Sequence, residues 1–349
     1  MLRKSALVVL SGALFSACAE NAPPVYANDQ CRRLNLIDEQ TGQTIIGAED
    51  IAFDPLNQRI IISAYDRRAA EKAARKSADA PVEGGVYEVS LDPLFSGVEA
   101  LEVTSIVDRG AFENGLRPHG VSVDRKSGAF GFINRAYKQE GRKWRRESEL
   151  ASVSISGNLT IAPAHCAAND VVLNGAFTWT TYNHASCEAG AAFEDIFNQR
   201  RSGFFLNGEP IAGDIGFANG VALDGDALVV AATREKALHL FEADAETATR
   251  VRTIQLGGAP DNISLDGKGN VIAAVHPSLM RLALNRKLGI GRAPSKILSI
   301  NLDTNEKTTL FHDKKGAAFS AATVGIETRR GLVLGSVTDN GLLVCEKAP

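Results

Sequence analysis

Glu49-Asp50-Ile51-Ala52-Phe53-Asp54 is a short polar step that runs into alternating apolar residues and closes on a polar one. The same design returns at His119-Gly120-Val121-Ser122-Val123-Asp124, Asn169-Asp170-Val171-Val172-Leu173-Asn174, Asn219-Gly220-Val221-Ala222-Leu223-Asp224, Asp261-Asn262-Ile263-Ser264-Leu265-Asp266 and Ala322-Thr323-Val324-Gly325-Ile326-Glu327. Alternation with a period of two is the pattern of a half-buried strand. If the six strands are equivalent, their leading residues occupy equivalent places. A scatter of Glu, Asp, Asn and His then becomes a ring about one axis.

Each step is followed by two more β-rich runs, at 60–64 and 85–91, 129–133 and 150–155, 177–181 and 203–207, 227–232 and 238–242, 270–275 and 296–301, and 332–336 and 341–345. Units of three strands returning irregularly, at roughly forty to seventy residues, predict an all-β, six-bladed β-propeller. A fourth, outermost strand per blade has the weakest pattern because it is the most exposed. A jelly roll or a pair of sandwiches would not start every unit on the polar step. Asn174-Gly175, Asp224-Gly225 and Asp266-Gly267 follow leading strands, where tight hairpins need positive φ. Short helical insertions are expected at 66–80, 189–201 and 277–294. If those connections lie where the ring opens they are lids; the plainer alternative is solvated helix. Phe193, Ile196 and Phe197 stand at helical spacing and would wall the same entrance.

The chain has 349 residues, 44% of them hydrophobic, and a net charge of −3 from 38 basic and 41 acidic residues. No basic stripe is present, which argues against nucleic acid as a partner. Arg3 and Lys4 precede an apolar stretch from Ala6 to Phe15, the pattern of an export signal over residues 1–17. Phe15-Ser16-Ala17-Cys18 reads either as a lipobox, with Cys18 lipidated and tethering the protein to a bacterial outer membrane, or as an ordinary cleavage site. Residues 18–30 then form a linker and 31–349 one propeller, working in the periplasm or outside the cell. An oxidising compartment suits disulfides. Cys31 precedes the first blade and Cys345 lies in the last strand, so a bond between them would staple a ring otherwise joined only by packing. Cys166 and Cys187 either pair or stay free and buried.

Gly47-Ala48-Glu49-Asp50, Arg117-Pro118-His119-Gly120-Val121, Ala168-Asn169-Asp170-Val171, Phe217-Ala218-Asn219-Gly220-Val221, Pro260-Asp261-Asn262-Ile263-Ser264, Val275-His276-Pro277 and Leu343-Val344-Cys345-Glu346 resemble, in order, signature segments of the paraoxonase/arylesterase family. The resemblance runs from about residue 31 to 346. It implies two calcium ions in the central tunnel and hydrolysis of lactones and aryl esters. Glu49, Asn169, Asn219, Asp261 and Asn262 would hold the catalytic ion, and Asp50, Asp170 and the carbonyl of Val121 the structural one. His119 would be the base, with Glu49 beside it as a catalytic ligand. His276 would line the pocket, a purely structural role being equally open, and the terminal disulfide would join Cys31 to Cys345. Thr323 heads the sixth unit and is either pocket floor or plain strand. One departure stands out: Ile133-Asn134-Arg135 occupies the place of a second histidine in the family's mammalian members, which puts a His–His relay in doubt. Arg135 would also lower the pKa of His119.

Elementary chemistry agrees with the resemblance. Calcium takes six to eight hard oxygens, and mixed carboxylates and carboxamides supply them without excess charge. A ring without sulfur and with little imidazole argues against zinc or copper. Turn chemistry explains any one Asn-Gly or Asp-Asn step, but not the whole set. His165, His184, His239 and His312 have no supporting pattern and read as structural or exposed. No Gly-x-Ser-x-Gly elbow, Walker loop or His-Glu-x-x-His is present. Two other functions fit the ring: a gluconolactonase-like sugar lactonase, and a non-catalytic propeller with a structural ion. The sequence does not decide the oligomeric state.

Overall fold

The computed structural model describes residues 22–76, 80–187 and 189–347; the export signal and Cys18 lie outside them. Six blades surround one axis. Their inner strands are Ala48–Asp54, Pro118–Val123, Ala168–Asn174, Ala218–Asp224, Ala259–Leu265 and Ala322–Glu327, each of them one of the sequence's polar steps with its apolar run. Each inner strand packs against those of the blades on either side, and the first packs against the last. The second and third strands pair antiparallel outward from it, as the alternation predicts. Fourth strands complete blades 2 to 5, at Leu159–Ala164, Glu209–Ile215, Ala248–Gln255 and Lys307–Asp313. The first three alternate poorly because most of their residues are exposed.

Ring closure corrects one expectation. The first and last blades are not joined by packing alone. The strand Cys31–Asp38 leaves the first blade's side and pairs antiparallel with Leu342–Glu346, placing Cys31 opposite Cys345. A disulfide joins the two across 314 residues of chain. The sixth blade thus takes its fourth strand from the N-terminus, and Ala100–Val103 adds a fifth, pairing parallel outside it. Cys166 and Cys187 are also bonded. Upstream of the closing strand, Tyr26 is buried against the fifth and sixth blades, and its amide donates to Leu310 O (2.8 Å).

The hydrophobic core is divided between blades. One cluster joins Leu34, Ile51, Ile62, Tyr87, Val324 and Val344 from the sixth and first blades. Another joins Val229, Leu240, Val271 and Leu298 from the fourth and fifth. The hairpin glycines Gly175, Gly225 and Gly267 have φ of 60°, 60° and 73°, as the turn signals require. Helices form at Arg67–Lys76, Ala189–Ile196 and Leu279–Ala283. The first is tied to the helical turn Leu284–Leu288 that follows the third: Arg68 donates to Asn285 O (2.7 Å), and Glu71 pairs with Arg286 (2.9 Å). Phe193, Ile196 and Phe197 do not pack inward; they are 53%, 77% and 59% exposed. Among the described residues no helix is long and apolar enough to cross a membrane.

Loss of the terminal disulfide removes a cross-link whose loop is nearly the whole domain. A Cys31→Ser, Cys345→Ser double variant is expected to lose about 2–5 kcal/mol, read as a lower urea midpoint at unchanged fluorescence of the folded state. The same shift should follow mild reduction of the wild type.

Candidate metal centre and active site

Every inner strand shifts register at its polar step, between Ala48 and Asp50, Pro118 and Val121, Ala168 and Val171, Ala218 and Val221, Pro260 and Ile263, and Ala322 and Val324. A β-bulge adds a residue and re-aims the side chains around it. Successive residues such as Glu49 and Asp50, or Asn169 and Asp170, can therefore both address the axis. Two glycines let the strands approach this closely. A Cβ on Gly120 would lie 2.5 Å from Asp170 Cα, and one on Gly220 2.7 Å from Asn262 Cα. Hydroxyls lock neighbouring blades together: Thr181 Oγ1 donates to Asn219 O (2.6 Å), Thr233 Oγ1 to Pro260 O (2.7 Å), and Thr323 Oγ1 to Glu49 O (2.6 Å). Ser63 Oγ donates likewise to His119 O. Thr323 therefore fastens the first blade to the sixth.

The side chains form two tiers. In the upper tier, on the side of the Arg67–Lys76 helix, His119 Nδ1 lies against a Glu49 oxygen and accepts from Arg67 Nη2 (2.6 Å). Arg67 also lies 3.3 Å from Glu49 Oε1. His119 Nε2 donates to Asn169 Oδ1 (2.8 Å), which also accepts from Arg135 Nη2 (2.8 Å) and Asn183 Nδ2 (3.0 Å). Asn169 Nδ2 donates to Asn219 Oδ1, and Asn219 Nδ2 to Asp261 Oδ1. His276 Nε2 meets Asp261 Oδ2 at 2.7 Å, and Asn262 Nδ2 closes the circuit on Glu49 O (3.1 Å). Glu49, His119, Asn169, Asn219, Asp261, Asn262, His276 and Thr323 are thus brought together, all buried.

The lower tier is Asp50 and Asp170. Asp50 Oδ2 accepts from Val121 N (2.7 Å); Asp170 accepts from Val171 N (2.7 Å) and Val221 N (2.8 Å). It is thus the amide of Val121 that meets Asp50. The two carboxylates roof a cavity of about 440 Å³ that runs along the axis to the hairpin turns at Asp124 and Asp224-Gly225.

Electrostatics separate the tiers. Burial pushes Asp170 up to about 8, with Glu49 and Asp261 adding to it against the Val221 and Val171 amides. Burial, then Asp170 and Glu49, push Asp50 well above its ordinary value. Among the described residues no basic side chain forms an ion pair with either. In the upper tier burial likewise opposes the charge on Glu49, but His119, Arg67 and Arg135 outweigh it and hold the carboxyl well below the usual range. Burial first, then Arg135, lowers His119 to about 3, so its imidazole is neutral. Burial and repulsion from Arg67 and Arg146 push Arg135 down to about 9; since a guanidinium keeps its proton, this marks a poorly compensated charge. Arg67 and Asn183 escaped sequence reasoning. Arg67 sits in an insertion rather than a leading strand, and Asn183 just after a second strand, where no repeated signal marks either.

The residues present fit calcium in their chemistry. Among the described residues no three His, Cys, Asp or Glu side chains converge on one point. An ion here would therefore draw on carboxamides and carbonyls as well as carboxylates, which is a hard-oxygen donor set. Glu49 Oε2 is buried without a hydrogen-bond donor, and the lower carboxylates have no counter-charge. Asn169 is the exception, because Arg135 and Asn183 hold its oxygen and turn its amide nitrogen toward Asn219.

Residues 206–347, from the edge of the third blade through the sixth, match the arylesterase family model. That span contains Asn219, Asp261, Asn262, His276, Thr323 and Cys345. A gluconolactonase from Xanthomonas campestris is similar in structure, with 14% sequence identity, a TM-score of 0.52, and coverage of 88% of this chain and 91% of that one. A luciferin-regenerating enzyme aligns at 13% identity and a TM-score of 0.49 over 86% of this chain and 90% of that one. No curated protein matches the sequence. The likeness to the gluconolactonase shows the fold, a propeller, and the arylesterase match spans less than half of the chain.

The raised carboxyls fix a pH dependence. A group whose pKa is higher folded than unfolded gives stability that is complete below its unfolded value and lost as pH rises through its folded one. The metal-free protein should therefore lose thermal stability between about pH 4, the ordinary aspartate value, and about pH 8, where Asp170 ionises. Scanning calorimetry in chelator across that window checks it. Asp170→Asn should flatten the slope.

Proposed function

We propose that this protein is an exported, calcium-dependent hydrolase of lactones and aryl esters. The observation that carries the reading is the Asp50–Asp170 pair, buried on the axis beneath a ring of oxygen donors with no cation of its own. Buried carboxylates persist when paired or when they coordinate metal. Glu49, Asn219, Asp261 and Asn262 would hold the upper ion, Asn169 joining them only if its amide turned from Arg135 and Asn183, and Asp50, Asp170 and the Val121 carbonyl would hold the lower. The upper ion, when bound, supplies Lewis acidity that polarises an ester carbonyl and stabilises the developing oxyanion.

The chain's own residues do the rest. Asn169 Oδ1 is fixed as an acceptor by Arg135, so a neutral His119 with its proton on Nε2 presents its Nδ1 lone pair once the Glu49 carboxylate turns from that nitrogen. A neutral imidazole is the form a general base needs. His119 Nδ1 takes the proton of the attacking water once Arg67 Nη2 gives up that nitrogen. His276 braces Asp261, and Asn262 and Thr323 brace the backbone of Glu49, so the donors are held before substrate arrives. Two disulfides suit an oxidising compartment, which supports the export reading.

The purified protein should hydrolyse members of a panel of aliphatic lactones, phenyl acetate and glucono-δ-lactone with calcium, and lose the activity in chelator. Glu49→Gln should lower kcat by roughly a hundredfold or more. Full rate in chelator, or an unimpaired Glu49→Gln enzyme, would remove the ion from the chemistry.

A further inference from the structure

Arg135 is a buried cation with no partner of opposite charge. Only 4% exposed, it forms an ion pair with no carboxylate among the described residues. Its one side-chain hydrogen bond goes to the neutral Asn169 Oδ1 (2.8 Å), and its Nε has none. Nothing in the propeller requires a guanidinium here: Arg135 follows the second strand of its blade, and its backbone alone continues the sheet, bonding to Arg117 O (3.0 Å). An unpaired buried charge is costly, which points to an anion that binds there.

Arg67 faces the same space. It is 5% exposed, lies 3.3 Å from Glu49 Oε1, and is steered by Tyr65 OH, which accepts from its Nε (3.2 Å). Counted over the whole upper tier, the carboxylates Glu49 and Asp261 equal these two guanidiniums in number, although neither pairs with Arg135. The divalent ion of the proposed function leaves that tier with excess positive charge, which an anionic group on the substrate would offset. Guanidinium forks match the two oxygens of a carboxylate.

We propose that Arg135 and Arg67 form a carboxylate-binding subsite beside the hydrolytic centre, so that preferred substrates are lactones or esters carrying a carboxylate. This rests on the lactonase/esterase reading above and narrows it to a substrate class. The neutral Asn169 amide between Arg135 and the centre sets the anion one side chain away from the scissile carbonyl. Arg135 is thereby a specificity residue.

The test compares 5-oxotetrahydrofuran-2-carboxylate with γ-valerolactone, which has a methyl in place of the carboxylate, on the calcium-loaded full chain. Wild type should favour the acid in kcat/KM by about tenfold or more, the scale of one charged hydrogen bond. Arg135→Gln should collapse that ratio, and Arg135→Lys, which keeps the charge and guards against misfolding of the first variant, should retain a preference. A wild-type ratio near one, or a ratio that Arg135→Gln leaves intact, overturns the subsite. If neither lactone is hydrolysed, the hydrolase reading has failed, and calorimetry with the ring-opened diacid 2-hydroxyglutarate decides the subsite alone. Binding that weakens about tenfold or more in Arg135→Gln supports it; no binding, or equal binding to both proteins, overturns it.

Discussion

The backbones of neighbouring inner strands touch, and most of the centre follows from that. Gly120 lies against Asp170 and Gly220 against Asn262 so closely that any side chain would collide. At that separation the axis has room only for the side chains that the bulges turn inward. Hydroxyls from the flanking strands then spend their hydrogen bonds on the next blade's carbonyls, at Asn219, Pro260 and Glu49. The ring is therefore positioned by main chain on both sides and owes little to flexible loops, the arrangement that keeps a site within a fraction of an ångström of its working geometry.

Within that frame the two tiers answer the same problem differently. Both bury carboxylates. Asp50 and Asp170 receive only backbone amides, which supply partial charge and leave the pair repelling itself. Glu49 instead has two guanidiniums nearby, one delivered by a helix inserted after a second strand and one by the residue ending another. Among the described residues no basic side chain pairs with the lower carboxylates, whereas the upper tier concentrates two guanidiniums near Glu49.

Much of this was readable in the chain. The six alternating polar steps gave the blade count, and the twelve β-rich runs that follow them also mark strands of the structure, because runs of buried apolar residues carry the strongest signal. The outer strands gave no such signal, since Leu159–Ala164 and Ala248–Gln255 are largely exposed. The closing strand Cys31–Asp38 was missed for another reason: its partner lies at the far end of the chain, and only the cysteines hinted at it. Within the ring, residues that lead a strand were found by equivalence. Arg67 and Asn183 lie outside the repeat, so equivalence could not reach them. Arg135 was noticed because it replaced an expected histidine, yet its grip on the Asn169 oxygen is visible only in three dimensions.

Closure by the first strand has a consequence for how the molecule is made. Cys31–Asp38 is synthesised before any blade and finds its place only after Leu342–Glu346 exists. Cys166 and Cys187 stand only 21 positions apart, so loop-closure entropy favours that bond over the one spanning 314 residues. The long seam instead depends on strand pairing, which sets Cys31 opposite Cys345.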